Sequence, residues 1–283
     1  MSPLERLHRL PRRVVYPVLL IAYFLLMTLG GCADHLLLYP TTQPMATLGF
    51  TRRVFPLNGG DLEVWTQRWT GNRNLAPKIY VLGFCGNAER AEEALDPEAW
   101  RWQQTQAEIW YVNFPGFGGS TGPASVRSIP GAALEAYDQL ALVAGGKPIY
   151  VSANSVGTTA ALYVAAHRNV AGLILQNPPP LRTLIMQRYG WWNLCLLATP
   201  VALHVPQELN SLNNGPLVHA PAIFILSDED QIVPPRYHQM VVDAYGGPKR
   251  IVVLHHAGHN SPANQEEEEE IHGGIGWLLA GGR

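Results

Sequence analysis

Ser155 stands in Ala153-Asn154-Ser155-Val156-Gly157, between an apolar run at 148–152 and an alanine-rich run at 158–167. The first reads as a buried strand and the second as a helix, so the serine occupies a strand-to-helix turn too short to relax. Such a turn strains the backbone and thrusts the hydroxyl clear of the sheet edge. It is tolerated where the residues two before and two after are small, as Ala153 and Gly157 are. The same turn sets the Val156 N–H at a helix N-terminus, where it can donate to a developing oxyanion. Together these are the parts of nucleophilic acyl transfer. A serine is also a favoured helix N-cap, and on the turn alone both readings stand.

Ligands of parallel sheets bind beyond the carboxyl ends of the strands, so titratable residues there are the next candidates. Asp228 and Asp230 follow the apolar run 222–226, and His259 follows the run 250–254 in Ala257-Gly258-His259-Asn260. A nucleophile, then an acid, then a histidine is a chain order known for hydrolytic triads. His255 and His256 remain on or next to the strand, where neighbours point to opposite faces, and read as packed or surface histidines. Cys85 has no nearby His or Lys to lower its pKa and reads as a small buried filler.

The elements that must position these residues follow from periodicity. Residues 50–56 and 61–70 alternate as two strands around Asn58-Gly59-Gly60, which predicts a hairpin. Residues 79–84, 109–113, 148–152, 170–175, 222–226 and 250–254 are apolar runs fit for buried strands. Helices are predicted at 88–104 (split in two by Pro97), at 131–143, at 158–167, after Pro234-Pro235 and at 266–279. Strands alternating with helices imply an α/β fold with a mostly parallel sheet, helices on both faces and an antiparallel N-terminal hairpin. The Leu- and aromatic-rich stretch 181–197 reads either as a helix packed on the sheet or as the lining of an acyl-chain site. The acidic run 266–270 reads as a solvated helix start.

At 283 residues the chain has room for one well-buried α/β domain, and no linker marks a second. Its net charge of −2 offers no basic stripe for nucleic acid. The three cysteines make neither a disulfide framework nor a metal spacing, so neither metal nor cofactor is expected. At the N-terminus, basic residues 6–13 precede an apolar run at 14–29 and the tetrapeptide Leu29-Gly30-Gly31-Cys32, which reads as a secretory signal. Sixteen apolar residues are short for a span, which takes about 20. The expected organisation is a signal peptide over 1–31, a tether over 32–44 and a catalytic domain over 45–283. An uncleaved signal anchor is the alternative, and oligomeric state is not legible.

The tetrapeptide resembles a bacterial lipobox, which implies diacylglyceryl modification of the Cys32 thiol and cleavage on its N-terminal side. Ala33 beside it implies the periplasmic side of the outer membrane. The remainder, over about 36–280, resembles the α/β-hydrolases. It is most similar to membrane-associated serine hydrolases, bacterial lipoprotein members and α/β-hydrolase-domain depalmitoylases among them. The matching stretches are LLLYPTTQP, FCGNAE, NFPGFGGSTG, ANSVGT, DEDQIVP and AGHN. The resemblance implies Ser155 as nucleophile, His259 as base and Asp230, in Asp-x-x-Val-Pro, as the acid in preference to Asp228. It implies the N–H groups of Val156 and Asn87 as oxyanion donors. Two departures stand out: Ala153 replaces a glycine, and Cys85 replaces a histidine, which leaves the support of the oxyanion loop open. The implied activity is cleavage of esters or thioesters, lipid or acylated substrates included, at the membrane. A peptidase of the same fold and a catalytically silent envelope binding protein are the competing readings.

Overall fold

The computed structural model describes residues 11–43, 45, 49–68 and 75–283. Eight strands form one sheet in the order β1-β2-β4-β3-β5-β6-β7-β8: β1 Thr51–Leu57, β2 Gly60–Arg68, β3 Ile79–Phe84, β4 Ala107–Asn113, β5 Ile149–Asn154, β6 Gly172–Gln176, β7 Ala222–Ser227 and β8 Lys249–Leu254. The β1–β2 and β2–β4 pairs are antiparallel and the others parallel. The expected hairpin is present, closed across Leu57 and Gly60 with Gly59 at φ 93°. Residues 69–70 of the expected second strand lie outside the described residues.

Period-two alternation divides the core. In β3, Tyr80, Leu82 and Phe84 join one apolar cluster, while Ile79 and Val81 join another. Phe224 and Ile225 of β7 divide the same way. The first face is covered by α4 (Ile129–Ala144) and α5 (Gly157–His167), whose alanines let the helices approach closely. The second is covered by α3 (Ala91–Arg101) and α10 (Gln265–Leu279), through Leu95, Ile271, Ile275 and Leu278. Each fully buried Leu, Ile or Phe contributes about 1.5–3 kcal/mol, so these two layers dominate the stability.

Two expectations need correction, and a third that left two readings open takes the packed-helix one over part of its length. Pro97 does not split its helix: α3 runs through it. Pro97 and Glu93, whose carbonyl loses its partner, both lie on the exposed side, where water can take the lone pair, while buried Leu95 and Glu98 hold the turns around them. The acidic start of α10 is not wholly solvated. Glu267 is buried, forms a capping box with Asn264 and accepts the His255 N–H at 2.7 Å. The stretch 181–197 is α6 (Leu181–Tyr189) and then a turn. Leu184 and Ile185 face inward, while Trp191, Trp192 and Leu194 point out to solvent rather than lining a site.

The N-terminal segments pack onto this frame. Helix α1 (Arg12–Thr28) lies beside α7 (Ala198–His204), and the Tyr23 hydroxyl donates to the Leu197 carbonyl at 2.8 Å. Among the described residues, no helix is long and apolar enough to cross a membrane. The short α2 (Asp34–Leu37) follows, and Ala33 and Leu38 around it are buried in the main core. The segment read as a tether is therefore packed over part of its length.

Candidate active site

Ser155 has φ 49°, a left-handed backbone that a serine adopts only under constraint. The turn is clamped at both ends: the Ser155 N–H donates to the Gln176 carbonyl at 2.8 Å, and the Thr158 N–H donates back to the Ser155 carbonyl at 3.0 Å. Gly157 has no alternative here, since a Cβ would stand 2.4 Å from the Phe84 carbonyl oxygen and 2.5 Å from that of Cys85. The serine side chain makes no capping bond to α5. Its Oγ instead lies 2.9 Å from His259 Nε2, and His259 Nδ1 lies 2.5 Å from Asp230 Oδ2. The structure thus brings Ser155, His259 and Asp230 into one connected line from three strand ends.

Asp230 is fully enclosed. Burial works to raise its pKa. Contacts from His238 and His259 and the Val233 N–H outweigh it and hold the carboxyl far below its usual range. Its Oδ1 accepts the N–H groups of Ile232 and Val233, each at 2.8 Å. Asp228 is elsewhere: its Oδ1 accepts the Ala257 N–H at 3.3 Å and its Oδ2 pairs with exposed His255 at 3.4 Å. His256 pairs with Glu229 at the surface. Both histidines are therefore surface groups. Cys85 is buried, and desolvation, then Glu89, Glu92 and Glu93, pushes its thiol pKa well up, which leaves it inert.

Val156 follows the serine in the turn, and Asn87 follows Gly86 in the loop that approaches it. Among the described residues, neither backbone N–H has a protein acceptor, as oxyanion donors require. A Cβ on Gly86 would lie 3.5 Å from that of Ser155, which shows how closely the loop approaches. The support that the sequence left open comes from two side chains. Glu89 accepts the Gly86 N–H at 2.7 Å. Its pKa is raised by burial above all, against the Gly86 and Asn154 hydrogen bonds. Asn87 accepts the Tyr39 N–H at 2.9 Å and donates to the Leu37 carbonyl at 2.8 Å, tying the loop 85–88 to the N-terminal segment. That segment is held further on, where the Gly118 N–H donates to the Thr41 carbonyl at 2.8 Å and Arg90 donates to the Gln43 carbonyl.

Two supporting residues escaped the sequence reading. His238, fully buried on α9 (Pro235–Ala244), places Nε2 at 3.2 Å from Asp230 Oδ2. Asn177 accepts the Ser227 N–H at 2.9 Å and donates to the His259 carbonyl at 3.0 Å, which fixes the histidine loop. Its signal was an asparagine ending β6 ahead of three prolines; that of His238 was its place on the helix behind the acid.

Ser155 and His259 are each 8% exposed, so the line is reached from solvent only narrowly. A cleft lined by Thr51, Arg53, Thr66, Arg68 and Glu108 and another by Arg127, Leu134, Tyr163, Leu203 and His204 contain no residue of it.

No protein-family model matches the chain. An uncharacterized protein of Mycobacterium tuberculosis is 28% identical over 273 residues, covering 92% of this chain and 91% of its own. Among solved structures, an esterase from Pyrococcus furiosus matches with TM-score 0.64 at 17% identity, over 86% of this chain and 96% of its own. The acetyl xylan esterase from Paenibacillus sp. R4 matches with TM-score 0.63 at 14% identity, over 91% and 94%. The mostly parallel eight-stranded sheet, its antiparallel first hairpin, the two helical layers and these superpositions give one conclusion: the chain has the α/β-hydrolase fold.

Proposed function

We propose that the chain is a membrane-anchored serine hydrolase that cleaves carboxylic esters or thioesters through an acyl-enzyme. The observation that carries the reading is the Asp230–His259–Ser155 contact line, with the serine held in a strained turn. Ser155 Oγ attacks the acyl carbon while His259 Nε2 takes its proton. The oxyanion that forms is held by the N–H groups of Val156 and Asn87; one such donor lowers the barrier by about 3 kcal/mol. His259 then gives the proton to the leaving alcohol or thiol, and water repeats the sequence on the acyl-enzyme. Asp230, ionised well below neutral pH, keeps His259 Nδ1 protonated and stabilises its imidazolium. That two esterases share the fold supports ester substrates. Diacylglyceryl modification of the Cys32 thiol, with cleavage on its N-terminal side, holds the protein in the cell envelope, on the periplasmic side of the outer membrane; partial exposure of Cys32 supports this.

A fluorophosphonate probe tests the chemistry. The wild-type chain is labelled and Ser155→Ala is not, while hydrolysis of p-nitrophenyl esters and acyl-thioesters drops by several orders of magnitude at unchanged melting temperature. Turnover by Ser155→Ala at the wild-type rate would reject the assignment. Mass spectrometry of the mature N-terminus tests the anchor.

A further inference from the structure

The outer surface of α1 and of the turn after α6 is apolar and carries no acid. Leu194 is 86% exposed, Trp191 75% and Trp192 62%, and Tyr16, Val18 and Ile21 of α1 are also exposed. The two elements are neighbours, since α1 packs beside α7 and Tyr23 is bonded to Leu197. So much exposed aromatic and aliphatic side chain on adjacent elements marks an interaction surface. Its charge identifies the occupant. Residues 12–33 and 181–207 contain no Asp or Glu, in a chain that has 22 of them and a net charge of −2. Arg12 and Arg13 lie exposed at one end of α1, and Arg127, also exposed, reaches the Thr28 carbonyl at the other. Tryptophans with an apolar body and a polar N–H, leucines between them and arginines at the margins match the boundary between headgroups and acyl chains.

We propose that α1, for as long as the chain is uncleaved, and the segment 189–197 form one face that docks into the surface of an anionic lipid bilayer. Cys32 lies just beyond the end of α1, where Arg127 and His204 hold the Thr28 carbonyl, so cleavage before it removes α1 and leaves the segment 189–197 as the docking face of the mature chain. The docking face seats the segment between β6 and β7 on the membrane. The substrate is then drawn from acyl groups presented there rather than from solution. The inference deepens the membrane half of the reading above and needs no catalytic role for any residue of the face.

The test uses the full chain carrying Cys32→Ser, which can be neither acylated nor cut at that residue, floated with phosphatidylglycerol or phosphatidylcholine vesicles. The parent should partition onto phosphatidylglycerol vesicles. Trp191→Ser/Trp192→Ser/Leu194→Ser in the same background should partition at least about tenfold less and hydrolyse a short soluble ester unchanged. Equal partition of parent and triple variant would overturn the proposal. Lipid-free dimers of the parent that the triple variant lacks would do so too, by making the face a contact between copies. Preference for neither lipid would overturn the anionic assignment. Vesicle partition and dimer formation do not depend on Ser155, so a failed hydrolase reading and a failed docking face give different results.

Discussion

Asp228 and Asp230 differ by two positions at the end of β7, yet their environments separate them completely. Asp230 holds both His259 and His238 and two backbone amides inside the protein, whereas Asp228 pairs with an exposed histidine. Asp230→Asn presents an amide to His259 Nδ1 and favours the wrong tautomer, so kcat should fall roughly 10⁴-fold. Asp228→Asn should stay within a few-fold, and the reverse ranking in steady-state kinetics would move the acid. Glu89 yields a prediction of opposite electrostatic sign. Its folded pKa is raised above the ordinary value of 4.5, chiefly by burial. Folding therefore binds a proton, and the stability linked to Glu89 is complete below about pH 4.5 and is lost as pH rises through the folded value. Glu89→Gln keeps an acceptor for the Gly86 N–H without that loss. Its unfolding free energy relative to wild type should grow as pH climbs from 4.5 toward neutrality; parallel denaturation curves would dismiss the effect.

At the level of elements, the loop 85–88, which carries one proposed oxyanion donor, is positioned by a piece of chain from outside the sheet. Asn87 reaches Leu37 and Tyr39 with both ends of its amide, and its own backbone N–H is one proposed donor. Asn87→Ala keeps that N–H but releases the loop, and small misplacements at a reacting centre are expensive. We expect kcat to fall roughly 10- to 100-fold with little change in KM. The affinity of a trifluoromethyl ketone, which forms a tetrahedral oxyanion on serine, should weaken by the same factor. A lowered unfolding midpoint with unchanged analogue affinity would assign the amide a merely structural part. The elbow, the histidine loop and the Asp-x-x-Val-Pro turn were legible in the sequence because each is a local pattern joined to a strand end. The brace was not, because Asn87 and Leu37 are distant in the chain and only the folded sheet brings them together. Pro97 and Glu267 misled for the same reason: each was read by residue type, and each was settled by which side of its helix meets water or protein.

For the whole molecule, the question is where the folded unit begins. The sequence suggests 45, after the Thr- and Pro-rich stretch, because nothing before it carries chemistry. Packing suggests an earlier start. Ala33 and Leu38 are core residues, and the Asp34 carboxylate accepts the Val126 N–H at 2.9 Å and lies 3.0 Å from buried His204 Nε2. Thr41 and Gln43 supply carbonyls to the glycine-rich loop and to Arg90. Removing a buried leucine side chain alone costs about 2–5 kcal/mol, a large part of a typical domain's net stability. A chain begun at Cys32 keeps all of these contacts and gives up only α1, whose residues are not buried. It should therefore fold and hydrolyse short esters at close to the full-length rate. A chain begun at Met45 loses the core residues and the brace on Asn87 together. It should unfold at lower denaturant and, where still folded, show a reduced kcat that addition of lipid does not restore. Denaturant titration of the two chains side by side, with turnover measured on a soluble ester, separates the cases. Equal midpoints and equal kcat would return the segment before 45 to the status of a tether.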